Sequence, residues 1–126
     1  MLTMKHFLSH QGLEDLFSVA TYGNGWPDIE VRKEDRALIA KTKNDCIEGV
    51  WASVLLKGGT LLVHDLYAED DDQETYELTL EKVKAGLKKM RDEYPLHWAD
   101  LVEENDDLIT GDCFLQLAVF GDWIYG

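Results

Sequence analysis

Apolar residues recur at helical spacing through the longest patterned segment of the chain, residues 73–94. The stripe falls at alternating intervals of four and three: Tyr76, Leu80, Val83, Leu87, Met90 and Tyr94. Residues so spaced share one face of an α-helix, which can pack against a core. At its start, Asp71 and Glu74 form a D-x-x-E pattern that is similar to a capping box. Cationic residues are concentrated near its end, where the helix dipole stabilises positive charge. The pattern predicts one helix over residues 73–94.

The amino-terminal part of the chain predicts a helix followed by a short strand. Ser9 can cap the helix, and Gly23 would end it in a segment rich in Gly and Asn. Its apolar positions lie at helical spacing: Leu13, Leu16, Phe17 and Ala20. Further on, Ile29 and Val31 alternate with charged residues, which indicates a short edge strand.

Residues 44–58 are compatible with two structures. Their apolar residues lie on one helical face, with Asn44 as a cap and Gly58 at the end. Alternatively, residues 50–56 and 60–66 form the two strands of a hairpin that turns at Gly58–Gly59. We favour the helix for the first of these segments, while periodicity does not decide between helix and strand for the second.

The last third of the chain predicts two more helices. Pro95 suits the first position of one of them. Its inner face would carry Trp98, Leu101 and Val102. Thr110 can cap the other, which is apolar almost all round and should therefore lie in the core. Gly121 would end it, so that residues 122–126 fold back over the surface.

Together these elements predict a mostly α fold, a compact helical single domain over residues 1–126 with room for one short β-hairpin. An α+β arrangement is the alternative. A chain of 126 residues fits one domain and buries about two-thirds of its unfolded surface. The hydrophobic content of 45% favours a folded state despite the high charge.

The formal net charge is −13, and it is unevenly distributed along the chain. Residues 92–126 contain nine Asp and Glu but no Lys or Arg. Contacts to phosphates need basic side chains, so direct binding of nucleic acid or of an anionic membrane is not expected. A basic partner is compatible with this charge, and the acidic end of the chain is where we expect it to bind.

Two acidic clusters are the candidates for an interaction surface. The first is near the carboxyl end and comprises Asp100, Glu103, Glu104, Asp106 and Asp107. The second precedes the long helix and comprises Glu69, Asp70 and Asp72. They predict a non-catalytic module that binds a basic protein partner. A nucleic-acid-binding protein is one form of this partner, because a surface covered with carboxylates can imitate the phosphates of DNA.

Three alternatives compete with that hypothesis. Asp70, Asp72 and their neighbours also suit the first turn of the predicted helix, better than a calcium loop, whose glycine is missing. Residues 73–94 and 96–104 should pack antiparallel, so the cations of Lys82–Arg91 could neutralise the first cluster. The acidity could also have no specific role, in a small accessory protein.

A metal-dependent enzyme is the catalytic alternative. His97, Asp100 and Glu104 are spaced by three and four, so they could share a helical face and bind manganese, iron or zinc. The simpler interpretation is the solvated side of an amphipathic helix. The sequence contains no nucleophile elbow and no phosphate-binding loop. We therefore predict no cofactor and favour a non-enzymatic role.

Cysteine usage and the apolar runs bear on location. Cys46 and Cys113 have apolar neighbours and are expected to be buried, reduced thiols. The first ten residues do not have the pattern of a signal peptide, and no apolar run approaches the roughly 20 residues of a membrane span. A cytoplasmic location is therefore expected. His64 is expected to be packed or hydrogen-bonded, and the four Trp to lie in the core or at its edge.

Overall fold

The computed structural model describes residues 1–39, 46–68, 74–105 and 107–126. Its elements in chain order are α1 (Met4–Phe7), α2 (His10–Thr21), β1 (Pro27–Val31), a 3₁₀-helix (Lys33–Leu38), α3 (Ile47–Leu56), β2 (Leu61–Asp65), β3 (Thr75–Leu78), α4 (Leu80–Glu93), α5 (Pro95–Val102) and α6 (Leu108–Phe120). Helices predominate, and the strands form one small antiparallel sheet. The predicted fold class, mostly α with a short β component, is confirmed.

The centre of the fold is α6, which packs against α4 and α2, while α2 also packs against α3. Every residue of α6 from Cys113 to Val119 is buried. A helix with no polar face can reach this degree of burial only when other elements surround it. The prediction that the last helix lies in the core is confirmed.

Glycines let α6 approach both of its neighbours closely. A Cβ added at Gly111 would lie 2.5 Å from the carbonyl carbon and oxygen of Val19 in α2. A Cβ added at Gly86 in α4 would lie 2.8 Å from the backbone of Ala118 in α6. Real Cβ atoms do not come this close to backbone atoms, so the three helices are in contact backbone to backbone.

The three strands are arranged in the order β1–β2–β3, with both pairs antiparallel. Val63 of the central strand lies opposite Ile29 on one side and opposite Tyr76 on the other. Burial alternates along β2, where Leu61, Val63 and Asp65 are buried. The strand at residues 29 and 31 is thus confirmed, and within residues 60–66 the segment Leu61–Asp65 is a strand. Residues 47–56 form a helix, so the hairpin that would turn at Gly58 is not present.

The prediction of one helix over residues 73–94 is wrong in its first part. Residues 75–78 form β3, and α4 begins only at Leu80. Thr79 ends the strand and caps the helix, since its Oγ1 accepts the N–H of Lys82 at 3.3 Å. Tyr76 fits a helical stripe and a strand equally well, and pairing with β2 decides for the strand.

Two further predictions about α4 and α6 need correction. Glu74 precedes a strand, so it does not lie in the first turn of a helix, while Asp70–Asp72 lie outside the described residues. The last helix starts earlier than Thr110, because Asp107 caps it: its Oδ1 accepts the N–H of Thr110 at 3.0 Å. The end is as predicted, with Gly121 at φ 76°, a left-handed conformation that glycine adopts without strain.

Other predicted boundaries are confirmed. The Ser9 Oγ accepts the N–H of Gly12 at 3.2 Å and caps α2, and Pro95 is the first residue of α5. Asn44 lies outside the described residues, and Cys46 occupies the cap position of α3. Cys113 is buried as expected, but Cys46 is exposed, with its thiol donating to the Glu14 Oε1 at 2.9 Å. The expectation of two buried thiols is therefore wrong for Cys46, which starts a helix at the surface.

A buried glutamine fixes the carboxyl-terminal segment, residues 122–126, on the core. The Oε1 of Gln116 accepts the N–H groups of Ile124 at 3.0 Å and Tyr125 at 2.8 Å, and its Nε2 donates to the Tyr125 carbonyl at 3.0 Å. The same Nε2 donates to Asp112 at 2.9 Å. The segment folds back as predicted, but through a polar residue that the apolar pattern of α6 conceals.

Two tyrosine hydroxyls donate to carboxylates beside this segment. Tyr125 donates to the buried Asp65 at 2.5 Å, and Tyr76 donates to Glu74. Each hydrogen bond needs the protonated phenol, and each raises the pKa of its tyrosine to about 12. Both phenols should therefore stay neutral well above the ordinary tyrosine pKa of about 10.

Alkaline titration should show these two tyrosines ionising late, near pH 12, among the five in the chain. Because the folded-state pKa is raised, the stabilisation from each hydrogen bond is complete below about pH 10 and is lost as the pH rises through about 12. Tyrosinate absorbance, with circular dichroism to follow the fold, measures this. Tyr125→Phe should remove one late group. Complete ionisation near pH 10 in the folded protein would contradict the prediction.

Candidate functional site

The carboxyl-terminal acidic cluster surrounds the connection between α5 and α6. Glu103, Glu104 and Asp107 are exposed, and Asp100 is half-buried in the last turn of α5. Asp106 lies outside the described residues. The second predicted cluster, Glu69, Asp70 and Asp72, also lies outside them. The structure thus places the described members of the first cluster in the last turn of α5 and in the connection that follows it.

Glu104 has an unusual backbone. It lies just beyond the cap of α5 with φ 60°, and it is the only non-glycine residue with positive φ among those described. This left-handed conformation costs a residue with a Cβ about 1–2 kcal/mol, a cost that glycine avoids. Such strain at a surface position is a reason to look for a role of its side chain.

The cations of α4 do not pair with this cluster in the described part of the chain. Lys89 pairs with Glu93 at 3.8 Å, and Arg91 pairs with Asp92 at 3.1 Å. Lys82 donates to the carbonyl of Glu77 at 2.5 Å. Within the described ranges, no ion pair within 4.0 Å joins α4 to Asp100, Glu103 or Glu104. The alternative in which cations of α4 neutralise this cluster is thus not formed as direct ion pairs there.

Two adjoining cavities run along the outer side of α2, next to the α5–α6 connection. The first has a volume of about 340 Å³ and the second about 310 Å³. Ser18 and Val19 line both, so the two depressions adjoin along α2, and together they are called here the α2 groove. Leu101 and Glu104 line its first half from the opposite side, and Leu108 lines its second half.

The floor of the α2 groove is apolar. Leu16 and Leu101 are buried beneath it, and Val19 is half-buried at its middle. At the second half, Tyr22 is 80% exposed and Leu108 is 44% exposed. Large apolar side chains that remain this exposed in a group are typical of a contact surface.

Carboxylates form the rim of the α2 groove. Asp15 lies on the α2 side, and Glu104 and Asp107 lie on the other. The N–H of Thr110 holds the pKa of the Asp107 carboxyl below its usual range, so this group stays ionised at neutral pH. Among the described lining residues there is no Lys or Arg, and His6 is the only group that could become cationic. The rim is therefore net negative.

The alternative metal site is not assembled. His97 packs edge-to-face on Trp123, with ring centroids 5.1 Å apart. Glu104 lies past the end of α5, so it does not continue the helical face of His97 and Asp100. Among the described residues, no three His, Cys, Asp or Glu side chains are grouped closely enough to hold a metal ion. The spacing of three and four failed because the helix stops at Val102.

The residues of α2 that line the groove were not predicted as site residues from the sequence. Asp15, Val19 and Tyr22 are spaced by four and three, so they form a second stripe beside the core stripe of α2. That spacing was visible in the sequence. Its partner wall comes from residues more than 80 positions later, Leu101, Glu104, Asp107 and Leu108, and nothing local links the two walls.

His64 and the four tryptophans, for which the sequence predicted structural positions, are hydrogen-bonded or packed in the protein. His64 is hydrogen-bonded as expected, with its Nδ1 2.8 Å from the Thr75 Oγ1 and its Nε2 3.1 Å from Glu30. The tryptophans lie in the core or at its edge, as expected: Trp26, Trp51, Trp98 and Trp123. None of these residues lines the α2 groove.

Comparison with known proteins gives no family assignment. No protein-family model, no curated protein and no solved structure matches the chain. In the described ranges, no helix combines the length and the apolar character that crossing a membrane would require.

Proposed function

We propose that this protein is a non-catalytic interaction module that binds a basic macromolecular partner through its acidic face. The observation that carries the proposal is the α2 groove, an apolar depression with Asp15, Glu104 and Asp107 at its rim. The acidic face comprises these three rim carboxylates together with Asp100 and Glu103, which lie outside the groove. Asp106 is included in it because it directly precedes Asp107 in the sequence.

The carboxylates at the rim of the α2 groove and its apolar floor have different consequences for binding. Carboxylates at a rim steer a cationic partner and select against anionic ones, but each contributes little affinity. Burial of apolar surface supplies the favourable free energy of binding, from which the entropy lost on association is subtracted. A face that combines them fits a partner with both cationic and apolar side chains, which is the composition of many protein surfaces.

The partner is a basic protein, and a nucleic-acid-binding protein is one form of it. In that form the acidic face would act as a nucleic-acid mimic and an inhibitor. The net charge of −13 opposes direct binding of nucleic acid. The proposed location is the cytoplasm, which agrees with Cys46 and Cys113 being free thiols.

A matched pair of charge-reversed variants tests the proposal. The first changes Asp100, Glu103 and Glu104 to Lys, and the second changes three exposed acids elsewhere, Asp28, Glu77 and Glu81, to Lys. Both alter the net charge equally. Proteins captured from native lysate by the wild-type chain should be released by high salt, absent from the first variant and retained by the second.

Two outcomes would refute the proposal. If the first variant keeps every partner of the wild-type chain, the acidic face is not the binding surface. If the control variant loses the same partners to the same extent, capture reflects general acidity rather than this face. Circular dichroism of both variants checks that each remains folded, so that a loss of capture is not a loss of structure.

A further inference from the structure

Resting on this proposed function, we infer that the occupant of the α2 groove is an amphipathic α-helix of the partner, with Lys or Arg on both sides of an apolar stripe. The inference concerns the conformation and the side-chain pattern of the bound segment. It follows from the hydrogen bonding of the walls, the length of the groove and the placement of its charges.

The backbone groups of α2 and of the last turn of α5, which line the α2 groove, are largely paired within the protein and so are not free to bond an extended segment. One wall is α2, whose interior backbone groups bond within the helix. At the other wall, N–H groups of the protein already occupy the last four carbonyls of α5, those of Ala99, Asp100, Leu101 and Val102. A strand docked there would bury unpaired N–H and C=O groups, whereas a helix satisfies its own.

The length of the α2 groove suits about three helical turns. Its lining on α2 extends from Gly12 to Tyr22. At 1.5 Å per residue this distance is about 15 Å, the length of a ten-residue helix. The apolar positions along the floor, from Leu16 through Val19 to Leu108, can then receive a stripe of residues spaced by three and four.

The charges determine what flanks that stripe. Asp15 is on one side of the floor, and Glu104 and Asp107 are on the other, so cations are favoured on both flanks. A second copy of this chain, with its net charge of −13, would be repelled. The strained backbone at Glu104 adds to the argument, because a glycine there would relieve the strain but would remove a rim carboxylate.

Synthetic helical peptides test the inference with this protein unaltered. Each has about twelve residues, Lys on two flanks and a stripe anchored by Leu, Phe or Trp. The matched control has the same composition in an order that breaks the helical spacing. By fluorescence anisotropy, at least one patterned peptide should bind at least about tenfold more tightly than its scrambled control, and it should become helical on binding.

Variants of the protein test whether the peptide binds in the α2 groove. Glu104→Gln should weaken binding about three- to fivefold, while Glu81→Gln, an exposed carboxylate on α4 outside the acidic face, should change it less than about twofold. Leu108→Ser should weaken it about tenfold. Glu104→Gly should weaken binding like Glu104→Gln and yet raise Tm by about 2–4 °C, because glycine relieves the left-handed strain.

The outcomes separate this inference from the proposed function. Equal binding of patterned and scrambled peptides, while lysate capture still depends on Asp100, Glu103 and Glu104, would leave an acidic face that acts by charge alone and would overturn the helix. The helix would also be overturned if no patterned peptide bound while lysate capture still depended on Asp100, Glu103 and Glu104. Tight helical binding that Leu108→Ser leaves unchanged would place the peptide elsewhere and overturn the site.

Discussion

Replacing Gly111 by Ala should destabilise the fold by about 3 kcal/mol or more, although on an open helix the same change stabilises by about 1 kcal/mol. The added methyl would lie 2.5 Å from the backbone of Val19. Backbone atoms cannot rotate away as the end of a side chain can, so α2 and α6 must separate. The free energy of unfolding, measured by chemical denaturation, gives the sign as well as the size of the effect.

Gly25→Ala is the matched control for this prediction. There the new methyl would meet the hydroxyl of Tyr67 at 2.8 Å, and Tyr67 is a half-exposed side chain that can move. Its cost should be below about 1 kcal/mol. If Gly111→Ala were neutral or stabilising, the close packing of α2 on α6 would be wrong. The wall of the α2 groove would then be wrong as well, because Val19 belongs to both contacts.

Elements whose identity depends on their own residues could be predicted from the sequence. α2 carries a cap at Ser9 and a single apolar stripe, and α5 begins at a proline. The starts of both were predicted to within a residue, whereas α5 ends at Val102, earlier than predicted. The burial of α6 followed from its having no polar face. In each case the information lies within one turn of the residue concerned, so no knowledge of the tertiary structure was needed.

Elements whose identity depends on a distant partner could not be predicted. Tyr76 lies on a helical stripe and also in a strand, and only its position opposite Val63 of β2 distinguishes the two. The hydrogen bonds of Gln116 to residues 124 and 125 were hidden in the same way, since one polar residue in an apolar helix says nothing of its partners. Pairing across the chain outweighs local preference in such segments.

The candidate site likewise has one part that could be predicted from the sequence and one part that could not. The excess of acids near the carboxyl end is a property of composition, so it was visible before the structure. The apolar floor between those acids was not, because Val19 and Leu108 come from opposite ends of the chain. The metal alternative failed for a local reason, the end of α5 at Val102, which the chain marks with neither glycine nor proline.

Gln116→Leu should destabilise the protein by about 3 kcal/mol and release the carboxyl-terminal segment. The change keeps the side-chain volume roughly constant but leaves the N–H groups of Ile124 and Tyr125 and the Tyr125 carbonyl without their partners. Each unsatisfied buried group costs about 1–3 kcal/mol, unless the segment detaches and becomes hydrated. Detachment would in turn uncover Trp26 and Phe120, on which Tyr125 packs.

Chemical denaturation measures the loss of stability, and carboxypeptidase digestion measures the release, which should be faster in the variant. Gln11→Leu is the control, because Gln11 is exposed and its side chain donates to the exposed Asp15; its effect should stay within about 0.5 kcal/mol. Unchanged stability together with unchanged digestion would mean that the ring contacts of Tyr125 and its hydrogen bond to Asp65 hold the segment without the glutamine. The polar residue in the middle of α6 would then need another explanation.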